Sequence, residues 1–115
     1  MNYSEIKKLL MRIEDPALRL EFVMDLGKQL ASTPKEALCA EISGCASRVQ
    51  ICRHGDIFYG SADSALVRGI ITIILAMAND GVSDLRGEFN SLNLNLGAGR
   101  LNGVESVISF LESMV

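Results

Sequence analysis

Asp63-Ser64-Ala65-Leu66-Val67-Arg68-Gly69-Ile70-Ile71-Thr72-Ile73-Ile74-Leu75-Ala76-Met77-Ala78-Asn79-Asp80-Gly81 decides the fold, because it reads either as one buried helix or as a strand. Ile70, Ile71, Ile73 and Ile74 carry the strand preference of β-branched side chains. Length and punctuation favour the helix. Asp63 or Ser64 supplies an N-cap, apolar residues fall nearly all round the helical wheel, and Gly81 stands just past the last turn. A helix apolar on every side is a central one, packed on a sheet and by other helices. Its most apolar run, Ile70 to Ala78, is nine residues long, half of a bilayer span, so a buried helix is the better reading.

Upstream, Val49 and Ile51 alternate with Gln50 and Cys52 in the period of two that marks a half-buried strand. His54-Gly55-Asp56 makes a turn and Ile57-Phe58-Tyr59 starts the return strand. Ile42 and its neighbours before Gly44 add a third, short strand, which places Gly44-Cys45 at the bend between two strands. Nearer the N-terminus, Asn2 or Ser4 caps a helix bearing Ile6, Leu9, Leu10 and Ile13 on one face. Asp15 then caps a second helix with Pro16 at its first position, running to about Leu30 with Leu18, Phe22, Val23, Met24, Leu26 and Leu30 as its apolar set.

Downstream, Ser83 caps a short helix at Asp84-Leu85-Arg86, and another turn is expected around Ser91 to Leu96. Gly97-Ala98-Gly99-Arg100 reads as a loop. From Leu101 or Asn102 the last helix carries Val104, Val107, Ile108, Leu111 and Val115 on one face. Helices, then strands, then helices predict an α+β fold: a small antiparallel sheet of about three strands packed against a helical layer.

A chain of 115 residues is the size of one domain, expected to span 1–115, and buries roughly 65% of its unfolded surface. With 49% hydrophobic and 22% charged residues it has ordinary globular composition, and its net charge of −3 gives no general attraction for nucleic acid. Glu5, Lys7, Lys8, Arg12, Glu14 and Asp15 interrupt any apolar block a signal peptide needs, so a cytoplasmic location with no membrane association is expected. In that compartment the three cysteines default to reduced thiols.

Cys39, Cys45, Cys52 and His54 are the metal-ligand candidates, but no C-x2-C pair occurs. An extended chain separates Cys45 from Cys52 by roughly 15 to 23 Å at about 3.3 Å per residue, so no metal site is expected. Cys39 and Cys52 read as small apolar strand residues and His54 as a solvated turn residue. Neither the C-x-x-C of disulfide exchange nor a phosphatase C-x5-R is present. Cys45 differs by its small neighbours Gly44, Ala46 and Ser47, which leave a sulfur accessible, and by Arg48, whose charge favours the thiolate. The same surroundings suit an idle thiol, and the residues alone name no substrate.

Ile42-Ser43-Gly44-Cys45-Ala46-Ser47-Arg48-Val49 resembles the cysteine segment of the SufE family, including its CsdE branch, which accepts sulfane sulfur from a cysteine desulfurase for iron-sulfur cluster assembly. Gly60-Ser61-Ala62-Asp63-Ser64-Ala65-Leu66-Val67-Arg68-Gly69-Ile70-Ile71, Gly99-Arg100-Leu101-Asn102-Gly103-Val104 and Leu26-Gly27-Lys28-Gln29-Leu30 are similar to three further family motifs, so the likeness covers nearly the whole chain from about residue 10. Departures lie around the cysteine: members commonly have glutamine where Arg48 stands, tryptophan where Gln50 stands and an acidic residue where Ser61 stands. These bear on partner choice more than on chemistry.

The resemblance implies a SufE-like fold, related to that of the IscU-like scaffolds, with Cys45 as persulfide acceptor on a loop at one end of the sheet and Arg100 and Asp63 in its neighbourhood. The same residues have plainer readings, Asp63 as the cap of the central helix and Arg100 as an entry residue of the last one. The implied partners are a pyridoxal-phosphate-dependent cysteine desulfurase of the SufS or CsdA kind, which the protein stimulates, and an iron-sulfur scaffold that receives the sulfur. No cofactor of its own is implied. Two other readings stay open at this point: a scaffold or metal carrier using Cys45 with other ligands, and a desulfurase regulator that docks without carrying sulfur.

Overall fold

The computed structural model, which describes residues 1–45 and 47–114, orders the chain as α1 (Tyr3–Met11), α2 (Pro16–Leu26), a 3-10 turn (Gly27–Gln29), β1 (Leu38–Glu41), β2 (Val49–His54), β3 (Ile57–Ala62), α3 (Ala65–Asn79), α4 (Leu85–Ser91) and α5 (Ala98–Ser113). The expected α+β arrangement is therefore present. Local chemistry starts each early helix. Asn2 Oδ1 accepts from Glu5 N while Glu5 accepts from Asn2 N, and Asp15 Oδ1 accepts from Ala17 N ahead of Pro16. Ser64, not Asp63, caps α3, its Oγ accepting from Val67 N. Gly81 ends that helix with φ +80°, a conformation glycine adopts without steric cost.

α3 is the centre of the molecule, with Gly69, Ile70, Ile71, Ile73, Ile74, Leu75 and Met77 all buried. One side lies on β3. Gly60 makes that approach close, since a Cβ there would sit 3.0 Å from Ile71 Cγ2 and 3.1 Å from Leu75 Cδ1. Another side meets α2 backbone to backbone: a Cβ on Gly69 would fall 1.8 Å from Val23 O. α2 nevertheless buries only Val23 and Leu26 fully, and the expected core residues Leu18 (51%) and Met24 (36%) are exposed. In α1, Tyr3, Ile6 and Leu10 are buried, Leu9 faces outward and Ile13 lies beyond the helix end.

Two downstream boundaries also differ from expectation. Asp84 caps α4 in place of Ser83, and Ser91 to Leu96 forms no second helical turn, with Asn93 at φ 53°. α5 begins at Ala98, so Arg100 lies in its first turn and not in a loop. Gly97, at φ +80°, makes the reversal by itself, leaving the following residues free to wind into helix. Val104, Val107, Ile108 and Leu111 form the buried face as read, and Val115 lies outside the described residues. No helix among the described residues is long and apolar enough to cross a membrane.

The sheet has the antiparallel order β1-β2-β3, with Glu41, Gln50 and Ser61 in register across it. Val49 and Ile51 face α3, and Gln50 and Cys52 lie on the opposite, outer face. β1 starts earlier than expected, before Ile42, and this shift brings Cys39 directly opposite Cys52. Ile42 N donates to Val49 O, so the ladder alternation makes Cys39 and Cys52 a non-hydrogen-bonded pair, the kind whose side chains approach most closely. Their Cα atoms are 4.0 Å apart and the two sulfurs are bonded. The expectation of reduced thiols is thus overturned for these two residues. It rested on an odd number of cysteines and an expected reducing compartment, whereas register decides which sulfurs meet.

Candidate functional site

The segment between β1 and β2 carries Cys45, the chain's one free thiol. Ile42 is buried and anchors its start, and Asp63 N donates to Arg48 O at its end. Gly44 then turns with φ +87°, against α5: a Cβ there would lie 2.6 Å from Ser106 Oγ. The reversal sets the half-buried Cys45 on the same helix, where its S–H donates to Gly103 O over 3.7 Å. A Cβ on Gly103 would meet the sulfur at 3.5 Å, ordinary van der Waals contact, so the thiol sits directly over this turn of α5.

Beside the thiol is a cavity of about 430 Å³. Its walls are apolar: Val67, Ile70, Ile71 and Ile74 of α3, Leu96, and Val104 and Val107 of α5. Ser47, Ser64 and Arg100 supply the polar lining. Water occupies roughly 30 Å³ per molecule in the liquid, so the space far exceeds what one additional sulfur atom fills.

Burial pushes the Cys45 thiol pKa above its ordinary value. Arg48 and Arg100 are the cations whose charge would oppose that shift. Arg48 points away and pairs with Glu41 at 3.1 Å in an exposed ion pair, and Arg100 Nη1 donates to Leu96 O at 3.3 Å. The apolar shelter dominates in this conformation and favours the protonated form of Cys45.

Cys45 and Arg100 line one cavity. Asp63 does not join them. Its side chain is exposed and borders a separate depression with Glu41, Arg48, Gln50 and Ser61. His54 is exposed at the hairpin end, while Cys52 is held in the disulfide with Cys39 on the outer face. Among the described residues, no group of three or more His, Cys, Asp or Glu side chains could hold a metal ion.

Several parts of the site escaped the sequence reading. Val67, Ile70, Ile71 and Ile74 read as core and also form the cavity wall. Gly103 stands in the sequence only as part of the motif similar to the family's, with no role of its own, and nothing in the sequence singles out Ser106. A glycine inside a helix costs roughly 1 kcal/mol relative to alanine, and that cost, with the motif it belongs to, is the signal the sequence carries at Gly103.

Among known proteins, the model of the SufE family, described as an Fe-S metabolism associated domain, matches residues 4–115. An uncharacterised SufE-like protein of Rhizobium meliloti is 29% identical over 113 residues, covering 83% of this chain and 81% of that protein. Another from Rhizobium etli is 31% identical over 114 residues, covering 84% of this chain and 77% of its own length. With a family model spanning nearly every residue and two relatives aligned over most of both chains, the protein belongs to the SufE family of Fe-S metabolism associated domains.

Proposed function

We propose that the protein takes sulfane sulfur from a cysteine desulfurase onto Cys45, thereby stimulating the desulfurase, and passes it on to iron-sulfur cluster assembly. The observation that carries this reading is a single free thiol, seated on α5 at the edge of an apolar cavity with space beyond its sulfur. In the transfer, Cys45 loses its proton and its thiolate attacks the terminal sulfur of the donor persulfide. A new S–S bond forms to Cys45, the donor's S–S bond breaks, and the donor cysteine leaves as a thiolate that takes up a proton. The product is a Cys45 persulfide, and a thiolate on the receiving scaffold repeats the exchange.

The geometry divides the roles. Burial keeps the resting thiol protonated and hence a poor nucleophile, which suits a group that should react only after docking. Arg100, at the cavity lining, is the cation available to favour the thiolate once its bond to Leu96 O is given up. Asp63 contributes from outside the cavity, through the backbone bond that fixes the end of the Cys45 segment against β3. The chain needs no cofactor for this chemistry, and pyridoxal phosphate belongs to the desulfurase partner.

Incubation with a cysteine desulfurase and free cysteine tests the reading by mass spectrometry. A gain of one sulfur atom mapped to Cys45, and loss of both that gain and desulfurase stimulation in Cys45→Ser, are expected. Stimulation that survives in Cys45→Ser with no sulfur gain in the wild type would instead identify a regulator that docks without carrying sulfur.

A further inference from the structure

We infer that Cys39–Cys52 is a thiol-disulfide exchange site for dithiols, separate from Cys45, whose reduction releases the segment that presents Cys45. The consequence for Cys45 rests on the sulfur-acceptor reading; the exchange site does not. The two sulfurs are bonded across β1 and β2, on the outer face of the sheet, and they bracket the Cys45 segment at both of its ends.

β1 has little else to hold it. It is a four-residue edge strand with three residues exposed, including Leu38 at 80%. Among the described residues its substantial contacts are with β2 alone. The opposite edge is secured differently: Asn79 of α3 accepts from Phe58 N at 2.8 Å and donates to Phe58 O at 3.1 Å, covering β3 with its own side-chain amide. A short edge strand with little buried apolar surface lies at the low end of local stability. The disulfide therefore adds the one covalent constraint to a strand otherwise held by its ladder to β2 and by the buried Ile42 that follows it, and reduction leaves the upstream anchor of Cys45 to those weaker contacts.

The two sulfurs are unequally accessible. Cys39 is exposed and Cys52 is 1% exposed, so an incoming thiolate meets the Cys39 sulfur. Attack there forms a mixed disulfide with Cys39, and Cys52 leaves as a thiolate and takes up a proton. The second thiol of the dithiol then attacks its own sulfur in the mixed disulfide, releasing Cys39. Two electrons and two protons pass from the dithiol to the cysteine pair, and an oxidised dithiol runs the exchange in reverse. Cys45 takes no part, since it lies on the α5 side of the sheet while the pair lies on the outer face.

The test needs no desulfurase. In the full-length protein with the disulfide formed, Cys45 is the one free thiol, so its alkylation by iodoacetamide reports how readily its segment opens. We expect this rate, followed at the Cys45 peptide by mass spectrometry because reduction frees Cys39 and Cys52 as well, to rise severalfold when the disulfide is reduced with dithiothreitol and the reductant removed. It should rise equally in Cys39→Ser and in Cys39→Ser/Cys52→Ser, with faster amide hydrogen exchange confined to residues 38–48. If a serine variant loses exchange protection throughout, the reduced wild type decides, because it keeps every side chain. An unchanged Cys45 rate in the reduced wild type, or failure of the disulfide to form in the presence of an oxidised dithiol, overturns the inference whatever Cys45 carries. Conversely, a rate that rises in a protein accepting no sulfur leaves the exchange site standing and removes the sulfur-acceptor reading.

Discussion

Gly69 and Gly44 both stand where a Cβ has no room, yet they lie in regions of opposite character. At Gly69 the obstacle is Val23 O, 1.8 Å from an ideal Cβ, a backbone atom inside one helix packed on another. At Gly44 it is Ser106 Oγ, 2.6 Å away, the end of a side chain that can rotate. Around α3 the helices are held by close backbone approach and short bonds: Tyr3 N to Asp80 Oδ2 at 2.7 Å, Tyr3 OH to Glu88 Oε1 at 2.8 Å and Lys7 Nζ to Glu88 Oε1 at 2.6 Å. Around Cys45 the contacts are a long S–H bond, a positive φ and a helix start with no side-chain cap. The difference separates two tasks. One region holds the fold, and the other carries a segment seated on α5 by longer and more yielding contacts.

Gly69→Ala is the severest way to break this comparison. The added methyl cannot be accommodated unless α2 and α3 separate, and overpacking of this kind costs about 3 kcal/mol or more. Chemical denaturation should show a large fall in midpoint. An unchanged midpoint would mean that the two helices are not in backbone contact.

Gly44→Ala comes next and acts on the yielding side. A non-glycine residue at φ +87° costs about 1–2 kcal/mol. The segment can relieve both that strain and the Ser106 contact by lifting from α5. Global stability should fall by no more than about 1–2 kcal/mol while Cys45 alkylation accelerates. A loss as large as that of Gly69→Ala, with no gain in thiol reactivity, would show the Cys45 segment to be as rigid as the helical packing.

The same division explains what could be read from sequence. α3 was legible despite its isoleucines because Ser64 and Gly81 bound it and apolar residues surround it. The β2-β3 hairpin was legible from its period of two. Both are local signals. The disulfide was not, because pairing Cys39 with Cys52 requires the register of β1, a strand of four residues with almost no apolar alternation of its own. The first turn of α5 was missed because Gly97 and Gly99 look like a loop, although Gly97 alone makes the turn. Arg48 was read as a neighbour of Cys45 from three residues of separation, but β2 begins at Val49 and Arg48 pairs with Glu41 across the sheet instead. Cys45 and Arg100 are far apart in the chain, and their motifs brought them together where spacing alone could not.

The smallest effect concerns the Cys45 proton itself. Burial raises the thiol pKa in the folded state, so the alkylation rate should reach half its alkaline limit above the pH of an ordinary thiol. In Gly44→Ala, where the segment lifts into water, that midpoint should move back down. The sign for stability follows from linkage: the folded state holds the proton more tightly than the unfolded chain. The contribution is therefore fully present below the ordinary thiol pKa and is lost as pH rises through the raised one. Wild type should lose a little stability over that alkaline window relative to Cys45→Ala, which has no proton to lose. The two readouts together decide the point. A rate midpoint at or below the ordinary thiol value would mean that Arg100, and not the apolar wall, governs the sulfur. The segment would then rest with Cys45 already armed, and the yielding region would be holding a nucleophile ready and not sheltering one.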